Sequence, residues 1–231
     1  MNILRIAIVF ITYLLGIHPA VADKPVLTVY TYDSFTSDWG PGPTVELKFE
    51  EICECDLQFI GLDSSIGILG RIQLEGKNTK ADIALGLDTN LVHIAKETGL
   101  FAPLPTKVKD ITNERSSLPI VYDDDIFMPF DWGWFGFVYN KNSLKSPPKS
   151  FQELSKMSDE IKIVIQDPRT STPGLGLLLW VKSVYGDKAL NYWRELQPKI
   201  LTVTKGWSEA YALFLDGEAD MVLSYTTSPA Y

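Results

Sequence analysis

Val26 to Tyr32 reads VLTVYTY, and this run is the anchor from which the fold is read. Its β-branched and aromatic residues predict a buried strand. Working outward, Pro43 to Ile52 has helical spacing, with Val45, Phe49 and Ile52 recurring on one face. Asp56 to Leu62 (DLQFIGL) predicts a second strand. Ser65 to Glu75 (SIGILGRIQLE) predicts a helix with Ser65 as N-cap and Ile68, Leu69, Ile72 and Leu74 turned inward. Ala81 to Leu87 predicts a third strand, and Thr89 to Thr98 a short helix. Three strand–helix pairs in succession specify an α/β fold with a parallel, doubly wound sheet.

A polar segment without clear periodicity, Phe101 to Asp125, follows and reads as a long surface connection. Phe127 to Tyr139 (FMPFDWGWFGFVY) is apolar all round and cannot be one face of a helix. Trp132 and Trp134, flanking Gly133, read as hinge or core. A second alternation then runs through helix 151–157, strand 161–166, helices 174–184 and 189–196, strand 200–204, helix 207–215 and strand 220–225. The pattern describes two α/β units, residues 23–135 and 136–231, joined through the aromatic run.

The N-terminus carries an address. Arg5 precedes the apolar run Ile6 to Ile17, which is too short to span a bilayer core of roughly 30 Å. Ala20-Val21-Ala22 offers small residues at both recognition positions, so residues 1–22 are expected to be a signal peptide cleaved before Asp23. The formal net charge of −8 argues against nucleic acid and anionic membranes as partners. Cys53 and Cys55 are the only cysteines, and an oxidising compartment allows a C-x-C disulfide. A metal pair is the weaker alternative, since no second cysteine pair is present and His93 is the only histidine beyond the leader. Asp123 to Asp125 reads as a solvated acidic turn.

In open α/β sheets ligands gather at the carboxyl ends of strands. That rule selects Tyr32 to Trp39, Asp63-Ser64-Ser65, Asp167 to Gly174, Lys205-Gly206-Trp207 and Tyr225 to Ser228. The aromatic residues suit a flat, cationic or electron-poor ring. The hydroxyls of Thr170, Ser171 and Thr172, placed ahead of a helix, suit an anion such as phosphate. No phosphate-binding glycine loop, dinucleotide turn or zinc-protease helix occurs, and the lone histidine leaves no Ser–His–Asp arrangement.

The segments VLTVYTYDSFTSDWGPGP, EGKNTKADIALGLDTN, QDPRTSTPGLGLLLW, TVTKGWSEAY and LSYTTSPAY closely resemble the periplasmic thiamine-binding proteins of Gram-negative bacteria. The resemblance extends from about Lys24 to Tyr231. It implies a type II periplasmic binding-protein fold, two doubly wound lobes with an interlobe cleft. It implies a periplasmic, non-catalytic monomer that captures thiamine, thiamine monophosphate and thiamine diphosphate for an ABC permease, without a cofactor. By motif, Tyr32 and Trp39 would line the pyrimidine end, Trp207, Tyr225 and Tyr231 would enclose the rings, and Thr170, Ser171 and Thr172 would meet phosphate. The family's acidic residue and glycine after the second strand are replaced by Asp63-Ser64-Ser65, which shifts the acidic side chain by one position. Family members are longer, so the first lobe is expected to be incomplete. Rival readings are a thiamine-cleaving transferase of the same fold, a binding protein for iron or polyamine, and a non-functional remnant.

Overall fold

The strands of the sequence assemble into two sheets in the computed structural model, which describes residues 24–105 and 122–230. The expected leader, its cleavage site, part of the polar connection and Tyr231 lie outside the described residues. The first sheet is built from β1 (Val26–Tyr32), β2 (Asp56–Leu62) and β3 (Ile83–Ala84), with α1 (Asp33–Thr36), α2 (Gly42–Cys53), α3 (Ser65–Glu75) and α4 (Val92–Glu97). The second contains β4 (Phe135–Tyr139), β5 (Ile163–Gln166), β6 (Ile200–Thr204) and β7 (Met221–Tyr225). Its helices are α5 (Phe151–Ser155), α6 (Thr172–Tyr185), α7 (Ala189–Leu196) and α8 (Trp207–Leu215).

The anchor strand β1 is central, parallel to β2 and β3 on either side. That position explains its composition, because Tyr30 and Thr31 are fully buried. In the second sheet the order is β4-β7-β5-β6. β5 runs parallel to both neighbours, whereas β4 is antiparallel to β7, pairing Phe135 with Tyr225. Only the last five residues of the aromatic run form a strand, and those preceding it lead into the sheet. Behind β5 and β7, Ile163, Leu177, Val181, Leu196 and Leu223 make one core. Tyr30, Ile68 and Ile72 make another against β1.

Four expectations need correction. β3 spans two residues, not seven, because only Ile83 and Ala84 pair with β1. Ser64, not Ser65, caps α3, its hydroxyl accepting the Gly67 N–H at 3.3 Å. Leu74 is 87% exposed, and the Val45–Phe49–Ile52 stripe of α2 is also exposed. Helical spacing defines a face, but it does not say how completely that face is covered. Trp132 and Trp134 are exposed and touch each other edge to face at 5.7 Å, so neither is core.

The cysteines do form a disulfide, closing the turn between α2 and β2 around Glu54, whose φ of 53° is left-handed. Asp124 of the acidic turn accepts the Ile126 and Phe127 N–H groups and pairs with Lys96 at 2.5 Å. Among the described residues no helix is long and apolar enough to cross a membrane.

One polar network ties α3 to β1. The Tyr30 hydroxyl donates to Glu75 at 2.9 Å, and the Arg71 guanidinium sits 2.7 Å from the same carboxylate. The hydrogen bond from Arg71 holds the Glu75 carboxyl at about 2, below its ordinary 4.5. Because the folded value is depressed, the contribution is present above pH 4.5 and fades as pH falls towards 2. The carboxylate is solvent-accessible, so the effect is screened and modest. Glu75→Gln should therefore flatten the acid limb of melting temperature against pH, measured by circular dichroism. Parallel acid limbs in variant and parent would count against this network.

Candidate functional site

The carboxyl ends of the parallel strands in the two sheets meet. β1 ends in Tyr32, whose ring lies so close over Gly86 that a Cβ there would collide with it; Gly86 also has a φ of 96°. β2 ends in the loop Asp63-Ser64-Ser65, and the Ser65 hydroxyl donates to the Gly86 carbonyl at 2.5 Å. From the other sheet, β5 leads through Asp167–Ser171 into α6. The start of α6 is pressed onto the end of β5, since a Cβ on Gly174 would strike the Gln166 carbonyl. Pro173 fits there because the first turn needs no N–H from it.

Contacts across the gap come in two groups. At the inner one, the Thr172 hydroxyl donates to Asp88 Oδ2 at 2.6 Å and lies 3.2 Å from Ser65 Oγ. At the outer one, the Lys205 ammonium pairs with Asp63, Ser208 donates to Asp33 at 3.4 Å, and the Trp39 and Trp207 rings approach to 6.2 Å. Asp63 and Lys205 are both well exposed.

Of the residues singled out in sequence, Tyr32, Ser65, Thr172 and Tyr225 converge on the inner region. Trp39, Asp63 and Trp207 form the outer edge. Ser64 is the α3 cap. Thr170 donates to the Lys205 carbonyl at 2.6 Å and so holds one loop of the second sheet against another. Ser171, 5% exposed, occupies the N-cap of α6, yet its side chain makes no capping hydrogen bond. Trp207 is fixed on both sides: its indole N–H donates to Ser224 at 2.7 Å and its ring stacks on Tyr211 at 5.0 Å. Tyr231 lies outside the described residues.

Two carboxylates were missed. Asp88 follows β3 and obeys the same strand-end rule as the residues chosen, so the signal was present. Asp131 sits inside the aromatic run, where no pattern marks it. Both press negative charge on Tyr225, whose phenol is pushed above its ordinary range mainly by burial, then by Asp88, Asp131 and Tyr32. Burial also raises the Asp131 and Asp33 carboxyls. The basic side chains of these loops are engaged with carboxylates. Arg169 hydrogen-bonds Asp167 and holds it at about 2, and Lys205 pairs with Asp63. The inner region is thus aromatic and acidic, with hydroxyls at the start of α6, a combination that attracts a cationic ring.

Known proteins agree with this architecture. The thiamine-binding periplasmic protein of Salmonella typhimurium is 56% identical over 213 residues, covering 92% of this chain and 63% of the relative. That of Escherichia coli K12 is 55% identical, over 90% of this chain and 62% of the relative. The chain therefore spans a little under two thirds of the relatives it matches. Among solved structures, a periplasmic thiamin binding protein superposes with a TM-score of 0.84 at 55% identity, covering 90% of this chain and 64% of that one. A periplasmic binding protein from Actinobacillus pleuropneumoniae, at 22% identity and a TM-score of 0.73, shares the fold. Residues 48–231 match the profile of bacterial extracellular solute-binding proteins, and the chain belongs to that family.

Proposed function

We propose that this chain is the ligand-capturing part of a periplasmic thiamine-binding protein, which takes thiamine and its phosphates and passes them to an ABC permease. The observation that carries this reading is the acidic, aromatic inner region. Tyr32 and Tyr225 supply π faces, while Asp88 and Asp131 supply negative charge with no competing free cation from Arg169 or Lys205. Thiamine is a cationic aromatic compound, so both features act in its favour, by about 0.5–2 kcal/mol for each well-placed ring. The more than 50% identity to proteins named as thiamine-binding supports the same ligand.

A non-catalytic role is supported by the cysteines. A thiamine-cleaving transferase of this fold would need a thiolate facing the ligand. Here both thiols are consumed in one disulfide at the amino-terminal end of β2, the opposite end from Asp63 and Ser65. Calorimetric titration of the chain with thiamine tests the reading, and saturable one-to-one binding is expected. Absence of heat at millimolar ligand would remove it.

Phosphate recognition falls to Ser171. Ser171→Ala should weaken thiamine monophosphate by about 0.5–1.5 kcal/mol, the worth of one hydrogen bond, and leave thiamine nearly unchanged. Equal losses for both ligands would show that Ser171 serves only the α6 terminus.

A further inference from the structure

Asp88 lies in the loop that follows β3 of the first sheet, and its side chain reaches the second lobe. Its side chain is fixed from its own side by a turn: Oδ1 accepts the Asn90 N–H at 2.9 Å, and its carbonyl accepts the Leu91 N–H at 3.0 Å. Its other oxygen, Oδ2, accepts the hydroxyl of Thr172, the first residue of α6, at 2.6 Å. α6 is fourteen residues long, and its first turn carries unpaired N–H groups and the positive end of the helix dipole. Directly beside Thr172, Ser171 is 5% exposed, and its hydroxyl makes no capping bond. A serine at an N-cap ordinarily turns its oxygen back onto the helix. Here that bond is not made, and the residue stands next to Thr172 and the carboxylate that Thr172 meets from the opposite lobe.

We propose that Asp88 is the residue that sets the preference between unphosphorylated and phosphorylated ligand, by placing the protein's own carboxylate where a ligand's phosphate would sit. This rests on the ligand class proposed above. A phosphate monoester arriving at α6 meets a like charge already hydrogen-bonded there, so either it is repelled or Asp88 must release Thr172. A ligand that ends in a hydroxyl meets no such repulsion, and Asp88 serves it as a counter-charge for the ring cation. Removing the charge therefore acts in opposite directions on the two ligands. Thiamine weakens and thiamine monophosphate strengthens. A residue that merely held the lobes together would move both the same way.

The test uses the full chain, the Asp88→Asn variant and the Asp88→Glu variant, each titrated with thiamine, thiamine monophosphate and inorganic phosphate. Asparagine keeps an acceptor oxygen for Thr172, so the clasp survives without its charge. The affinity ratio should move by about tenfold or more towards the monophosphate in Asp88→Asn, the order expected for relieving a like-charge contact. Asp88→Glu should keep the parent's ratio. Inorganic phosphate should bind Asp88→Asn more tightly than the parent. Thermal melts establish folding, and Asp88→Ser replaces the asparagine variant if that one is unfolded. A ratio within about twofold of the parent's overturns the assignment. If the parent binds neither thiamine compound, the ligand class is wrong. The role of Asp88 then stands or falls on inorganic phosphate, and equal phosphate binding by variant and parent refutes it.

Discussion

Trp207→Ala is expected to weaken thiamine binding by about 1–3 kcal/mol, a loss of roughly 5- to 150-fold in affinity. Trp207 opens α8 from the loop after β6, and its ring faces Trp39 across the gap between the lobes at 6.2 Å. Its ring is braced on both sides. Stacking on Tyr211 and donation to Ser224 fix its plane before a ligand arrives, so little side-chain entropy remains to be lost on binding. Alanine removes the aromatic face and the bracing together. Trp207→Phe keeps a smaller ring on Tyr211 and loses the N–H donor with part of the aromatic face, so an intermediate cost of about 0.5–1.5 kcal/mol is expected there. Titration calorimetry of both variants, each checked by its melt, separates face from donor. Binding by Trp207→Ala within about twofold of the parent would show that the ring lies outside the site.

The largest loss of stability is expected from Leu223→Ala, about 2–5 kcal/mol. Leu223 is fully buried in β7, between β4 and β5, and packs with Ile163, Leu177, Val181 and Leu196. Its carbonyl also accepts the Gln166 side-chain amide at 2.9 Å. Truncation would leave a cavity that sheet neighbours on both sides cannot collapse to fill. Two residues further on stands Tyr225, so the same substitution loosens the strand that presents the inner aromatic wall. Leu201→Ala on β6 is the control: 43% exposed, it should cost under about 1 kcal/mol. Urea unfolding measures both. If the two variants lose the same stability, burial is not what distinguishes these positions.

The parallel strands were legible because they are marked twice. β1 and β5 are rich in β-branched residues, β2 and β7 are largely apolar, and turn residues or polar loops bound each. Helices α3, α7 and α8 were legible from spacing. What spacing could not tell was the partner of each face. Ile68, Leu69 and Ile72 of α3 are buried, yet Leu74 of the same helix and the whole α2 stripe are exposed. The order β4-β7-β5-β6 was likewise not legible. It depends on a pairing of Phe135 with Tyr225 between residues far apart in the chain.

For the candidate site, the strand-end rule selected Tyr32, Ser65, Thr172, Trp207 and Tyr225, which the structure brings to the region where the two sheets face each other, because that rule concerns where loops emerge. It did not find the bond between Asp88 and Thr172, the pairing of Asp63 with Lys205, or Asp131 beside Tyr225. By itself, the sequence determined the alternation of strands and helices and the loops at the strand ends, since each follows from composition and period within a few residues. Only the tertiary structure decided which carboxylate neutralises which cation and which hydroxyl of α6 reaches the opposite lobe. Those are distances between separate lobes, and no local pattern encodes a distance.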